Sequence, residues 1–292
     1  MPSPTRRAAL ATLMLMAGLT LAAPLIAGSA TVDPRLAQAV DSPLRPAADR
    51  ARDAFRHPVQ SLTFWGLKPG DTVIDISPAK GWWTDILAPY LAATGGHYIG
   101  ASASADPNDP TVSPAGRKAV AAFMAKYGGD PKLYGDVKVT GFSAHSGPLA
   151  PSGSVDLVLV SREIHNWPAQ PGFTEKAFAD FYAALKPGGH VAVEDHRAPT
   201  GADPLKGDGY ISEAFVIGVA TKAGFKLDAR SEINANPKDS KDYPFGVWTL
   251  PPTRQSAPSG QPADPTFDHA RYDAIGESDR MTLRFVKPTP GA

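Results

Sequence analysis

Cysteine is absent from the 292-residue chain, so thiol catalysis, disulfide bonds and cysteine-ligated zinc sites are excluded. A surplus of either charge is absent too, because 29 basic residues balance 29 acidic ones. The composition therefore gives no electrostatic reason to expect a nucleic acid or an anionic membrane surface as a partner. The chain also lacks the phosphate-binding Walker loop, the Gly-x-Ser-x-Gly elbow of serine hydrolases and the His-Glu-x-x-His zinc motif.

The chain has one long apolar run, and it lies at the N-terminus. Arg6 and Arg7 precede an apolar stretch over residues 8–26, which glycine, threonine and proline interrupt. This order is typical of a cleaved signal peptide, whereas a membrane anchor needs about 20 uninterrupted apolar residues. We therefore predict a signal peptide over residues 1–30 and a periplasmic or secreted protein with no stable membrane span. An uncleaved signal would instead leave the protein anchored in the membrane.

Beyond the signal, residues 31–292 are predicted to form a single domain. Short apolar strands alternate with helical segments, which predicts right-handed crossovers and a parallel, doubly wound α/β sheet of about seven strands with helices on both faces. Leading helices occupy about residues 41–66, and a long insertion over about residues 234–280 precedes the last strand. The predicted strands cover residues 72–76, 97–101, 137–142, 155–161, 190–194, 225–233 and 281–286.

Two segments lead from a Pro-Gly turn into a predicted strand: residues 68–75, KPGDTVID, and residues 185–193, LKPGGHVAV. In this order they resemble class I methyltransferases that depend on S-adenosylmethionine (SAM). Almost the whole chain after the signal also resembles a family of exported predicted methyltransferases from proteobacteria. The segments that carry this second resemblance include residues 50–53, 56–58, 194–197, 236–239, 279–280 and 285–288. The resemblance implies a Rossmann-like fold, SAM as the cofactor and methyl transfer as the activity.

The resemblance also implies a cofactor loop after the first strand. The methyltransferase pattern has an acid followed by three glycines at alternate positions, and glycine lets the backbone approach the methionine part of SAM. Here Asp75 is the acid, and the three positions hold Ser77, Ala79 and Gly81. All three residues are small, so we assign Asp75 and these three residues to the cofactor site.

Two further cofactor ligands of the pattern are acids, one for the ribose hydroxyls and one for the adenine amino group. The matching positions in this chain hold Ser102 and Ser143. A serine can accept a hydrogen bond, but a neutral acceptor is weaker than a carboxylate. Asp106 or Asp109 is an alternative ligand for the ribose.

The segment after the fourth strand, residues 161–167, carries the most reactive side chains of the chain. The resemblance implies that this segment faces the substrate. His165 is the candidate general base, because imidazole titrates near neutral pH. Glu163 or Asn166 is expected to orient His165 or to hold the substrate. The alternative is a turn with a surface salt bridge between Arg162 and Glu163.

Substrate contacts are predicted from two other places at the same edge of the sheet. Trp83 opens the helix after the cofactor loop, and aromatic side chains suit small-molecule pockets. Asp195 and His196 end the fifth strand, close to His165 in the expected fold. Two histidines and a carboxylate are a known set of metal ligands, but their spacing is not diagnostic and no metal site is predicted.

Three functions fit these residues. The first is a SAM-dependent methyltransferase that acts on a small molecule. The second is a non-catalytic ligand-binding protein on a methyltransferase fold with a degenerate SAM loop, which the replaced glycines and acids favour. The third is an enzyme of another class that uses the pocket for hydrolysis or isomerisation. The first function requires Asp75, Ser102 and Ser143 to meet at one cleft.

Overall fold

The computed structural model describes Met1, residues 32–102 and residues 112–291. The predicted signal segment, apart from Met1, lies outside the described residues, and so do Asp106 and Asp109. Export and the alternative ribose ligand therefore stay predictions. Among the described helices, none is both long enough and apolar enough to cross a bilayer.

The described chain builds one seven-stranded sheet. Its strands are β1 (Thr72–Ile76), β2 (His97–Ser102), β3 (Lys138–Gly141), β4 (Val155–Ser161), β5 (Leu185–His196), β6 (Lys226–Ser231) and β7 (Arg280–Val286). Their order across the sheet is β3-β2-β1-β4-β5-β7-β6. The pairs among β1 to β5 are parallel, whereas β7 runs antiparallel to both β5 and β6. The predicted Rossmann-like doubly wound fold is confirmed, but the prediction of an all-parallel sheet is wrong.

The helices cover both faces of this sheet. They are α1 (Pro34–Val40), α2 (Ala47–Arg50), α3 (Asp53–Arg56), α4 (Pro58–Phe64), α5 (Thr84–Thr94), α6 (Pro114–Tyr127), α7 (Pro131–Tyr134), α8 (Phe173–Ala184), α9 (Glu213–Lys222) and α10 (Ala270–Asp273). One buried cluster packs α8 and α9 against one face, and a second packs α1, α4 and α5 against the other. Apolar side chains on both faces of β1 and β4 follow from this double cover.

Several element boundaries differ from the predictions. The apolar spacing of residues 43–55 predicts a single helix, but this segment is broken into α2 and α3. A helix is also predicted over about residues 82–91, whereas α5 begins at Thr84 and continues through Pro89 to Thr94. Strand β5 begins at Leu185, so the Pro-Gly-Gly segment predicted as a turn lies inside the strand range.

The order of the strands reverses between β1 and β4, because β2 and β3 lie on one side of this point and β5, β7 and β6 on the other. Ligands of open α/β sheets bind beyond the carboxyl ends of the strands at such a reversal. The loops after β1 and β4 flank this position, and they carry Ser77 and His165, respectively. The fold therefore brings the predicted cofactor loop and the predicted catalytic segment to one edge.

The insertion between β6 and β7, here called the excursion (residues 234–279), has a core of its own. It contains a 3-10 turn, Gly246–Thr249, and helix α10. Its side chains pack against the connection between β5 and α9 and form a buried cluster with it. The connection contributes Ala198 and Tyr210, and the excursion contributes Tyr243, Val247, Leu250 and Tyr272. The excursion is thus an ordered cover at the same edge of the sheet as the site.

Candidate functional site

The loop after β1 has a left-handed backbone at alternate positions. The φ angles are 53° at Ser77, 50° at Ala79 and 86° at Gly81. A left-handed conformation costs a non-glycine residue roughly 1–2 kcal/mol, because Cβ crowds the carbonyl oxygen. The three positions at which the methyltransferase pattern has glycine therefore adopt a backbone that glycine favours, although two of them hold other residues.

Gly81 makes room for a side chain of α6. A Cβ atom at this position would lie 1.8 Å from the hydroxyl oxygen of Tyr127. That hydroxyl donates a hydrogen bond of 2.9 Å to Asp85 Oδ1. The glycine is therefore required by packing against Tyr127, and its predicted contact with the cofactor stays a prediction.

Asp75 lies buried near the end of β1. The Tyr98 hydroxyl donates to Asp75 Oδ2 over 2.8 Å, and the same hydroxyl lies 2.8 Å from Thr84 Oγ1. Burial raises the pKa of Asp75 to about 7. Asp75 and the loop after it line a cavity of about 680 Å³, here called the β1 cavity.

A second, smaller cavity of about 190 Å³ lies beside the ends of β2 and β3, and it is called the β2 cavity. Ser77, Ala79 and Ser102 line its polar side, while Val120 and Phe123 of α6 line its apolar side. Ser77, Pro78, Ala79 and Glu163 line both cavities. Asp75 and Ser102 therefore line adjoining cavities, so two of the three residues that the first function requires at one cleft lie close together.

Ser143 does not share this arrangement. Its hydroxyl accepts a hydrogen bond of 3.2 Å from the backbone N–H of His145, and its own N–H donates to Ser146 Oγ over 3.0 Å. These bonds close a local turn after β3. The structure thus brings Asp75 and Ser102 together, but Ser143 lines neither cavity, so the three residues do not meet at one cleft as the first function requires.

His165 lies on a 3-10 turn, Ile164–Asn166, and its side chain is almost fully buried. Its Nδ1–H donates to Asp195 Oδ1 over 2.7 Å. Asp195 also accepts from the backbone N–H groups of His165 and His196. Burial alone would lower the pKa of His165, but the Asp195 carboxylate outweighs it and the pKa is raised. Asp195 therefore fixes the orientation and the tautomer of His165.

His196 lies next to His165, with 5.0 Å between the ring centroids. Its Nδ1 pairs with Ser278 Oγ over 2.5 Å. Burial, reinforced by the neighbouring His165, holds the pKa of His196 well below its ordinary value. Both histidines line a cavity of about 210 Å³, the histidine cavity, and no described residue forms a hydrogen bond with the Nε2 atom of either ring.

A metal ion could be held by His165, Asp195 and His196, because one ligand atom of each lies within 4.8 Å of the others. The set matches the ligand preference of transition metals. However, Arg162 and Arg280 lie close enough to His196 to lower its pKa. The positive charges of these guanidinium groups would also repel a bound cation. That this site holds no metal therefore stays a prediction.

Glu163 lies where the β1, β2 and histidine cavities meet, since it lines all three. Burial, with the Asp195 carboxylate as the next cause, raises the pKa of Glu163 to about 7. Asn166 is exposed and lines the histidine cavity. The structure thus gathers all three predicted catalytic residues at one place.

Trp83, the predicted substrate contact, is buried and lines the β1 cavity together with Trp82. The two rings pack edge to face, with centroids 4.6 Å apart. Trp82 also lies under the guanidinium groups of Arg45 and Arg56, at 5.2 and 4.7 Å. Both tryptophans therefore serve the core and the cavity wall at the same time.

Arg162 is not part of a surface salt bridge. No ion pair joins it to Glu163 among the described residues, and it is partly buried at the boundary of the β1 and histidine cavities. Its φ angle is 59°, in the left-handed region. The alternative of a solvated turn is therefore wrong: the excursion and the leading helices cover this segment.

Several lining residues were not expected from the sequence. These residues are Trp248, Pro252, Thr253 and Ser278, and all four come from the excursion. A fourth cavity of about 730 Å³, the excursion groove, shares Trp248 with the histidine cavity. The only signal for these residues was the length of the excursion, since a long insertion in a compact domain is often functional.

One family model matches more than half of the chain. Residues 48–228 match the family model described as a methyltransferase domain. No curated protein sequence matches the chain. A SAM-dependent methyltransferase from Aquifex aeolicus aligns with 69% of this chain and 93% of its own, at 21% identity and a TM-score of 0.46. One from Mesorhizobium loti aligns with 78% of this chain and 96% of its own, at 14% identity and a TM-score of 0.46.

Proposed function

We propose, given that the chain belongs to the methyltransferase domain family, that it transfers a methyl group from SAM to a small molecule. The observation that carries this proposal is the β1 loop, whose left-handed positions 77, 79 and 81 coincide with the glycine positions of the methyltransferase pattern. That loop opens on two joined cavities, and these meet the predicted catalytic residues at Glu163. The export predicted from residues 1–30 is part of the same proposal.

The cofactor side of the site comprises the β1 loop, Asp75 and Ser102. Ser102 and the apolar wall of α6 suit a nucleoside, and the backbone at Ser77 and Ala79 can approach a ligand closely because both side chains are small. When bound, SAM supplies an electrophilic methyl group on a sulfonium. The protein's part is to hold that methyl in line with the acceptor and to exclude water.

The acceptor side comprises His165, Asp195, His196, Glu163 and Asn166. Methyl transfer to a hydroxyl or an amine leaves a proton to be removed, and a positioned base typically contributes about 10²–10⁴-fold. His165 fits this role, because Asp195 holds its Nδ1–H and leaves Nε2 free to accept the proton. Glu163 and Asn166 line the same cavity and can position the acceptor.

The sizes of the cavities support a small acceptor. The histidine cavity measures about 210 Å³ and the excursion groove about 730 Å³, within or near the range of small-molecule sites. The wall they share is Trp248, whose ring centroid lies 6.1 Å from that of His165. An acceptor in the groove would therefore reach the proposed base past a single side chain.

The test is calorimetric titration of the full chain with S-adenosylhomocysteine. Ala119 is exposed on α6 and lines the β2 cavity, so Ala119→Trp should fill the cavity and abolish micromolar binding. Ala122→Trp is the matched control, since Ala122 is exposed on the same helix. If the wild type takes up no S-adenosylhomocysteine at millimolar concentration, methyl transfer is refuted and a binding protein or another enzyme remains.

A further inference from the structure

Guanidinium groups are unusually dense beneath the acceptor side. Five arginines lie buried or partly buried there: Arg45, Arg52, Arg56, Arg162 and Arg280. Four of them have a carboxylate partner. Arg45 pairs with Asp53 at 2.7 Å, and Glu277 lies within 3.0 Å of Arg52, Arg56 and Arg280. Arg280 also pairs with Glu194 at 2.7 Å.

Arg162 is the exception. Its side chain forms no hydrogen bond and no ion pair with any residue that the structure describes, and its Nε atom is fully buried. Four carboxylates lie near it: Glu194 and Glu277 already pair with other arginines, and Asp75 and Glu163 form no ion pair with it. Its Nε is buried without a hydrogen bond while the rest of the side chain lines a cavity, so a ligand in that cavity could supply the missing partner.

The free guanidinium faces a ligand-sized space. Arg162 and Arg52 both line the β1 cavity, and an Nη2 atom of Arg52 is likewise buried without a partner. The two groups are close enough for Arg52 to lower the pKa of Arg162. The left-handed backbone of Arg162 fits this interpretation, because strained non-glycine residues are concentrated at ligand sites.

We infer that Arg162 and Arg52 bind the carboxylate of a ligand in the β1 cavity. A carboxylate matches the planar fork of a guanidinium. A phosphate dianion fits less well, because Asp49, Asp75 and Glu163 line the same cavity and would repel a second negative charge. The carboxylate has two possible sources, the methionine part of the cofactor and the acceptor. Both sources rest on the proposed function.

Two nucleosides distinguish these sources. S-adenosylhomocysteine carries the amino acid carboxylate, whereas 5′-methylthioadenosine has the same nucleoside without it. If the site takes the cofactor carboxylate, Arg162→Met weakens S-adenosylhomocysteine about tenfold or more and leaves 5′-methylthioadenosine unchanged. Arg162→Lys keeps the charge but not the fork, so it should restore part of the affinity. Arg230→Met, at an exposed arginine on β6, is the control.

If the site takes the acceptor carboxylate, both nucleosides bind Arg162→Met normally. Sodium acetate should then raise the melting temperature of the S-adenosylhomocysteine-saturated wild type, relative to sodium chloride at equal ionic strength, and not that of Arg162→Met. If neither nucleoside binds the wild type but acetate still stabilises it through Arg162, the carboxylate site stands and methyl transfer fails.

Two outcomes would overturn the inference. One is a binding result: either neither acetate nor S-adenosylhomocysteine distinguishes the wild type from Arg162→Met, or the variant weakens both nucleosides equally. The other is a stability result on the ligand-free protein. Removing an unpartnered buried charge should leave the melting temperature unchanged or raise it, whereas a clear decrease would make Arg162 a structural ion-pair residue.

Discussion

The cofactor side and the acceptor side of the site are built in opposite ways. On the cofactor side, the side chains of the methyltransferase pattern are largely replaced, yet the backbone of the β1 loop keeps left-handed angles at residues 77, 79 and 81. On the acceptor side, the geometry of the site is set by interactions between side chains. Asp195 accepts a hydrogen bond from His165, and Glu277 forms ion pairs with three arginines.

This difference indicates which substitutions each side of the site can tolerate. Backbone conformation depends on local sterics, so a serine or an alanine can occupy a glycine position at a modest cost. A buried polar network depends on every member, because removing one partner leaves another group without its hydrogen bond. Substitutions at the glycine positions of the β1 loop should therefore change stability little, whereas substitutions in the acceptor-side network should have large effects.

The largest expected effect is at the proposed base. His165→Ala should lower kcat/KM by about 10²–10⁴-fold, since it removes the group that takes the proton. Release of S-adenosylhomocysteine, measured with an acceptor found by screening, gives the rate. The affinity for S-adenosylhomocysteine should not change, and the exposed His145→Ala should behave as the wild type. A parallel loss of cofactor binding would remove the distinction between the two sides.

Glu277→Gln should lower the free energy of unfolding by about 3–5 kcal/mol, because it breaks a buried network with three arginines. Burial alone would raise the pKa of Glu277, but these guanidinium groups lower it from 4.5 to about 2. A lowered pKa stabilises the fold above pH 4.5, and this stabilisation is lost as the pH falls towards 2. Urea unfolding at pH 7 and pH 3 measures both effects.

The exposed Glu232→Gln is the control for this prediction, since it removes a charge of the same kind from the surface. It should change the free energy of unfolding by less than about 1 kcal/mol. Equal losses in the two variants would mean that the arginine network contributes no more than a surface pair.

The Asp195→Asn variant should move the acid limb of the rate profile to lower pH. The base form of His165 is neutral, so activity falls as the pH drops below the pKa, and Asp195 raises that pKa. Without the carboxylate the pKa falls, and the maximal rate falls too because the tautomer is no longer fixed. The profile of kcat/KM against pH measures this. An unmoved limb would assign it to another group, and Asp136→Asn, at an exposed carboxylate, should leave it in place.

The smallest expected effect is on the cofactor side. Ala79 is exposed with a φ angle of 50°, so Ala79→Gly should raise the free energy of unfolding by up to about 1 kcal/mol. The same change in a helix, Ala122→Gly, should lower it by about 1 kcal/mol. Thermal and urea unfolding compare the two variants. Equal destabilisation would show that the left-handed angle stores no strain.

Elements with strong local patterns were predictable from the sequence. Apolar runs predict the bounds of β1 and β4. The helical spacing of Val120, Phe123 and Tyr127 predicts a helix over residues 114–127, and these are the bounds of α6. Helix α1 was missed although Asp33 caps it and Pro34 opens it, because its apolar face is short. The direction of β7 was missed because strand patterns carry no information on parallel or antiparallel pairing.

The site was predictable in its location more than in its chemistry. Strand order placed Asp75 and His165 at one edge, since parallel strands end together. The burial of Arg162 was not predictable, because an Arg-Glu pair after a strand reads locally as a solvated turn. What buries it is tertiary: residues Pro252 and Thr253 of the excursion lie about two hundred positions from Arg52, and all three line the β1 cavity.

The excursion also has a consequence for how such a protein can diversify. The aromatic cluster with Tyr243 and Tyr272 at its centre, which the excursion shares with the connection between β5 and α9, supports the wall at Trp248. Mutations in this cluster can therefore reshape that wall at a distance from the core beneath the sheet. Selection for a new acceptor can act there, so variation of the excursion is a route by which one fold could acquire different specificities.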